Sequence, residues 1–338
     1  MIERIEQLCS LYGASGREDA VRDYILSQIP SDAQTTVDAL GNVIVFRKGQ
    51  SSANHRVMLC AHMDEVGLMV TSVTEDGCLK FDTVGGISLP ALCGKAVRVG
   101  KKLIAGVIGV KPVHLLHGDE EKNYPKKESM YIDIGAKDKA DALSVMQVGD
   151  YAYFDSAVVP FGDGCLKGRA LDDRCGCAIM LEMLQAEQPY DLYYAFTVQE
   201  ETGVGGAGPA AYRIDPEYAI VLETTTASDI DGVEGERKVC CLGKGAVISQ
   251  MDRRTVYLPK MYEKAFALAE ANGIPAQPKT VVAGGNDAGV IFKTRGGVAV
   301  QAISLPCRYL HSPSCVIKES DYFASRDLAI LLAAELAK

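Results

Sequence analysis

At 338 residues the chain is long for one core and short for three, so a large domain with a smaller companion is the natural starting point. A formal net charge of −9 argues against non-specific nucleic-acid binding, because nothing replaces counterions on a phosphate backbone. Eleven cysteines without a C-x-x-C pair fit a reducing cytosol; the N-terminus has no signal-peptide pattern, and no apolar run reaches the roughly 18 residues of a membrane span, so a cytoplasmic protein is expected.

An opening helix is followed by Ser15-Gly-Arg-Glu18, whose S-x-x-E spacing predicts a capping box for a second helix carrying Val21, Ile25 and Ile29 and ended by Pro30. Thr36 to Phe46 holds two strand-like runs about Gly41-Asn42, a turn or hairpin. Val57-Met-Leu-Cys-Ala61 reads as a short buried strand that empties into His62-Met-Asp64-Glu65, as open α/β sheets do where they place ligands at their carboxyl edge. From residue 67 to 164 short β-like runs alternate with Gly, Lys and Asp turns, and only Asp138 to Ser144 has a helical pattern. This predicts a β-rich inserted domain (67–164) within a larger one formed by 1–66 and 165–338; the charged stretch 115–128 reads as an exposed loop or contact surface.

Gly168-Arg-Ala-Leu-Asp172-Asp-Arg-Cys-Gly176 then delivers two adjacent carboxylates and a helical pattern to about Leu184. A carboxylate at a helix mouth accepts backbone N–H bonds and is held ionised, as a ligand shared between two cations must be; simple helix capping by Asp172 or Asp173 is the plain alternative. The strand Leu192 to Val198 ends in Gln199-Glu200-Glu201-Thr-Gly, and the strand Tyr218 to Leu222 ends at Glu223. A helix from Met261 to Asn272 closes on Gly273, Gly284 to Gly289 opens a short helix, and the last core strand, Val298 to Ser304, leads to Arg308, Tyr309 and His311 before a C-terminal helix from about Asp321.

Four apolar strands are thus each followed by a metal-competent side chain: His62, Glu201, Glu223 and His311. Singly, His62 is equally a core-edge histidine, Glu200-Glu201 a solvated pair, and His311 a donor to a backbone carbonyl. Jointly, two histidines and three carboxylates suit two zinc-like ions, His62 and Glu223 on one, Glu201 and His311 on the other, and Asp172 on both. Asp64 is placed to accept the other ring N–H of His62. Glu200, beside the pair, can take a proton from an activated water and return it to a departing amine. Two divalent ions set against Asp172, Glu200, Glu201 and Glu223, with a hydroxide, leave a slightly negative site suited to a cationic α-amine.

Ala61-His-Met-Asp-Glu-Val-Gly67, Ala170-Leu-Asp-Asp-Arg174, Val198-Gln-Glu-Glu-Thr-Gly203, Gly284-Gly-Asn-Asp-Ala-Gly289 and Arg308-Tyr-Leu-His-Ser-Pro313 together resemble the TET-type, glutamyl-aminopeptidase-like family of dinuclear metallo-aminopeptidases. The resemblance spans nearly the whole chain, although many members carry Asp at the position of Glu223. It implies a three-layer αβα mixed-sheet zinc-peptidase domain of the phosphorylase/hydrolase type with an inserted β-barrel used in dimerisation. It also implies two divalent ions per subunit, zinc with cobalt or manganese as substitutes. Asp172 would bridge them, Glu200 would be the general base, and Asp64 would support His62. Short peptides with a free N-terminus are the implied substrates, and dimers assembling into a tetrahedral dodecamer the implied quaternary form. The rival readings are a glycoside hydrolase using paired carboxylates, disfavoured by a chain without tryptophan, and a related deacylase or carboxypeptidase.

Overall fold

A computed structural model describes residues 1–118 and 125–338. Residues 119–124, part of the stretch expected to be an exposed loop or contact surface, lie outside the described residues. The chain forms two compact units: Met1–Asp64 with Ala157–Leu310 and Ser314–Lys338, and Glu65–Ser156 with His311–Pro313.

The first unit is built on an eight-stranded mixed sheet. Its order is Gln34–Val37, Val43–Arg47, Leu192–Thr197, Val57–His62, Tyr218–Thr226, Ala299–Cys307, Ala246–Ile248 and Ala276–Pro278. The four central strands are mutually parallel, and the antiparallel Gln34–Arg47 hairpin covers one edge. Side chains on a strand alternate between faces, and this one sheet shows it plainly. Val57, Leu59 and Ala61 pack with the helices Ile2–Ser10, Asp19–Gln28, Leu171–Gln185, Pro259–Ala271 and Glu319–Ala337, whereas Met58 and Cys60 pack with Ala207–Ile214 and Ala288–Ile291. Both faces are therefore covered by helix, which is why these strands read as continuous apolar runs and why the layers are αβα. A separate three-stranded antiparallel sheet joins Val159–Phe161, Cys165–Gly168 and Cys315–Lys318.

The second unit is a closed six-stranded antiparallel barrel in the order Gly67–Val73, Leu79–Val84, Tyr131–Asp133, Ile104–Gly109, Ala96–Val99 and Tyr151–Phe154. Its interior is filled by Leu68, Val70, Leu79, Phe81, Val97, Val99, Ile108, Ile132 and Ala152. Closure removes the exposed edges that so many short strands would otherwise present. The expected helix is present as Lys139–Val145, with the Asp138 carboxylate accepting from the Asp141 amide at 2.8 Å. Among the described residues no helix is long and apolar enough to cross a membrane.

Candidate active site

Sheet register brings the sequence-distant side chains together. His62 is the last residue of its strand and lies opposite Thr197 of the parallel neighbour, so Glu200 and Glu201 leave the sheet beside it. Glu223 comes from the strand on the other side of His62, but lies within that strand, which continues to Thr226. The Leu171–Gln185 helix brings Asp172 and Asp173, both with non-helical backbone angles, joined by a cis peptide bond.

Two groups of metal-competent atoms result, each with its ligand atoms within 4.8 Å of one another: His62, Asp172 and Glu201, and His62, Asp173 and Glu223. The imidazole is fixed from behind. Its Nδ1 lies 3.0 Å from the Asp64 carbonyl oxygen and 3.4 Å from Asp64 Oδ1, which makes Nδ1 the protonated nitrogen and turns Nε2 toward Asp172 Oδ1 at 3.2 Å and Glu223 Oε1 at 3.5 Å. Asp64 also accepts from Ser15 Oγ at 2.6 Å and from the backbone amides of Glu200 and Glu201 at 3.0 and 3.1 Å.

The capping box expected at Ser15 and Glu18 does not form. Neither side chain caps the Asp19–Gln28 helix; Ser15 donates to Asp64, and Glu18 Oε1 accepts from the amides of Gly16 and Gln199. A buried carboxylate and an unpaired loop amide outcompete a helix end that water can serve. The helix-mouth reading of the Asp pair is also revised: the helix amide of Gly176 donates to Asp173 Oδ1 at 3.0 Å, so the capping carboxylate is Asp173. A Cβ on Gly176 would sit 2.3 Å from Asp173 Oδ2, so only glycine lets that carboxylate approach.

The electrostatics are those of crowded anions around one imidazole. Burial alone would push His62 down, but Glu223, Asp172 and Asp64 hold it well above the usual histidine range. Burial, followed by the Asp172 charge, pushes Glu223 up to about 8. Burial and then Glu223 raise Asp173 well above its ordinary value. Partly buried Glu200 is raised by burial and by Glu223, Asp287 and Glu201, against the opposing pull of His62. Asp64 differs: burial opposes its charge, yet His62, the Ser15 hydroxyl and the Glu200 amide keep it below the carboxylate norm.

These residues fit divalent cations. Asp173 Oδ2 is buried with no hydrogen-bond partner, and a positive ion among carboxylates this close would relieve both their mutual repulsion and that orphaned oxygen. One imidazole with carboxylate oxygens suits zinc, cobalt or manganese.

Of the residues expected from sequence, His62, Asp64, Asp172, Glu200, Glu201 and Glu223 all belong to the first unit and surround this point. His311 belongs to the second, where its Nδ1 lies 2.7 Å from the Gly86 carbonyl oxygen. Donation there assigns the ring's lone pair to Nε2, so the carbonyl bond and a ligand role are compatible. Sequence reasoning missed Asp173 as a member of the cluster; Asp287 stands in the Gly284 to Gly289 stretch, read both as opening a short helix and as one of the motifs that carry the family resemblance. Asp287 makes no side-chain cap bond; it is fully buried, and its Oδ2 accepts from Thr197 Oγ1 at 2.6 Å.

Comparison with known proteins agrees with the geometry. The profile described as M42 glutamyl aminopeptidase matches residues 41–328. The chain is 32% identical over 348 residues to the lysyl aminopeptidase of Pyrococcus furiosus, covering 99% of this chain and 97% of that one. Its structure is similar to that of an aminopeptidase from the archaeon Desulfurococcus kamchatkensis, with a TM-score of 0.93, 35% identity and coverage of 99% and 94% of the two chains. It is also similar to the TET1 peptidase of Pyrococcus horikoshii, described as assembling into a tetrahedron or a large octahedral shell, with a TM-score of 0.86, 34% identity and 99% of each chain covered. A match of this extent, on a chain whose buried histidine and carboxylates are gathered for metal, places the protein in the M42 glutamyl aminopeptidase family as a metal-dependent aminopeptidase.

Proposed function

We propose that the protein removes N-terminal residues from short peptides with a free α-amine, using two divalent ions, zinc or in its place cobalt or manganese. His62, Asp172, Glu201, Glu223 and His311 are the proposed ligands. An imidazole offers one lone pair and serves one ion, whereas a carboxylate has two oxygens, so although His62 is common to both groups the shared ligand is taken to be a carboxylate, and the family resemblance points to Asp172. His311 enters on the sequence motif alone. Held by these residues, such ions would supply a water of lowered pKa and polarise the scissile carbonyl.

The chain's own groups do the rest. Glu200, a carboxylate beside the gathered ligands that burial raises above its ordinary range, is suited to take a proton from water and deliver it to the departing amine. Asp64 keeps His62 in one tautomer and holds the amides on which Glu200 and Glu201 are carried. Surplus carboxylate charge favours a cationic substrate α-amine over a substrate carboxylate. The observation that carries this reading is the pair of groups His62, Asp172 and Glu201, and His62, Asp173 and Glu223, each with its ligand atoms within 4.8 Å of one another.

Assembly is proposed on the precedent of the TET1 relative: dimers formed through the barrel and built into a tetrahedral dodecamer, in the cytoplasm. Hydrolysis of Glu, Leu, Lys and N-acetylated aminoacyl anilides by chelator-stripped protein, with zinc or cobalt restored, tests the chemistry. Metal-restored cleavage of free-amine substrates alone is expected, and Glu200→Gln should lose about 10²- to 10⁴-fold in kcat at unchanged metal content. Cleavage of N-acetylated substrates, or polysaccharide hydrolysis that survives chelation, would overturn it.

A further inference from the structure

We infer that Glu18 and Asn42 are positioning residues for catalysis: with Asp64 they hold four consecutive backbone amides of the segment that carries Glu200. Val198 N donates to Asn42 Oδ1 at 3.0 Å, Gln199 N to Glu18 Oε1 at 3.1 Å, Glu200 N to Asp64 Oδ1 at 3.0 Å and Glu201 N to Asp64 Oδ2 at 3.1 Å. All three acceptors are buried and come from the first 64 residues, each from a different local structure. Glu18 is the N-cap residue of a helix whose amides it does not cap, Asn42 follows the Gly41 turn of the edge hairpin, and Asp64 follows the His62 strand.

The arrangement answers a definite need. The strand ends at Thr197, so the next amides have no ladder partner, and an unpaired amide in a buried site is unfavourable. Gln199 is left-handed, with φ of +56°, a conformation a side-chain-bearing residue keeps only when its surroundings fix it. Glu18 grips the amide of this residue, one position before Glu200. Asn42 closes the far end, its Nδ2 donating to the Gly206 carbonyl at 3.0 Å and to Asp38 Oδ2 at 2.7 Å. A Cβ on Gly206 would lie 2.3 Å from Asn42 Oδ1, so the approach of asparagine to this loop depends on that glycine. The turn is completed from within, Gly205 N donating to Gln199 O and Gly206 N to Val198 O, both at 2.9 Å. Rotation of the Gln199 peptide would therefore redirect Glu200, whereas the ligand atoms of His62, Asp172 and Glu223 lie on other segments and Glu201, the next residue along, keeps its own amide bond to Asp64.

The inference rests on Glu200 as the general base, so the test carries a Glu200→Gln control. Full-length Glu18→Ala, Glu18→Asp and Glu18→Gln are loaded with zinc, their metal equivalents measured, and kcat and KM determined on the best aminoacyl anilide. Glu18→Asp keeps the charge on an arm too short to reach the Gln199 amide; Glu18→Gln keeps the acceptor oxygen without the charge. Expected are about 10- to 100-fold losses in kcat for Ala and Asp, with KM and metal content near wild type, and recovery of most of that loss in Gln. Wild-type kcat in folded, metal-loaded Glu18→Asp overturns the proposal, as does a loss explained wholly by missing metal; if Glu18→Ala does not fold, Glu18→Asp decides. A Glu200→Gln control with wild-type kcat instead overturns the general-base assignment, a failure distinct from that of Glu18.

Discussion

The two units bury different things. Among the described residues, the barrel unit's buried charged groups are Glu65 and Asp150, and its interior is otherwise aliphatic and aromatic. The sheet unit buries Glu18, His62, Asp64, Asp172, Asp173, Glu223 and Asp287 in one region, several held away from their ordinary pKa values. A core optimised for stability has no reason to gather carboxylates, since each loses hydration and repels the next. The contrast separates a core whose residues are chosen for packing from a core that gives up stability for chemistry.

That contrast can be broken in three ways. The largest effect is expected from Leu79→Ala in the barrel interior, which should lower unfolding free energy by about 2–5 kcal/mol in denaturant titrations while metal equivalents per chain stay unchanged; loss of metal in this variant would show that the barrel does more than pack. Gly176→Ala should cost about 1–3 kcal/mol by overpacking, because the new methyl meets the Asp173 carboxylate, and here metal retention should fall as well.

The smallest effect is the most diagnostic and concerns pH. In the chelator-stripped protein Glu223 is raised from 4.5 to about 8, with Asp173 and Glu200 raised in the same sense. A carboxyl raised by folding holds its proton more tightly in the native state, so the native fold loses stability as pH rises from about 4.5 through about 8. Raised His62 acts in the same direction, its contribution complete below its unfolded pKa and lost as pH climbs through the folded one. Asp64, lowered, acts oppositely and only at acid pH. Thermal melts of stripped protein should therefore decline across this window, and Asp173→Asn should flatten the decline, raising stripped-state stability slightly at its upper end. A slope unchanged by that substitution would show that the Asp173 charge is not among those the fold strains to bury.

Much of the site was legible because its signals are local. His62, Glu201 and Glu223 each stand where an apolar run meets polar residues, and parallel strands carry such positions to one edge of the sheet. The alternation of helix and strand, the Gln34–Arg47 hairpin and the β-rich insertion were likewise written in short-range periodicity. Ser15-x-x-Glu18 was misread for the same reason: its spacing is right for a capping box, and nothing nearby in sequence announces that Asp64 and Gln199 compete for those side chains. Asp173 and Asp172 have the same local neighbours, so no pattern could say which one caps the helix.

The order of residues by itself determined the elements, the two kinds of core and the inventory of metal-competent groups, because helix, strand and turn follow from side-chain period and backbone freedom over a few residues. Only the tertiary structure decided which acceptor meets which donor. Glu18, Asn42 and Asp64 find their partners 136 to 181 residues away, across packed elements, and a hydrogen bond discriminates by tenths of an ångström that sequence spacing does not encode.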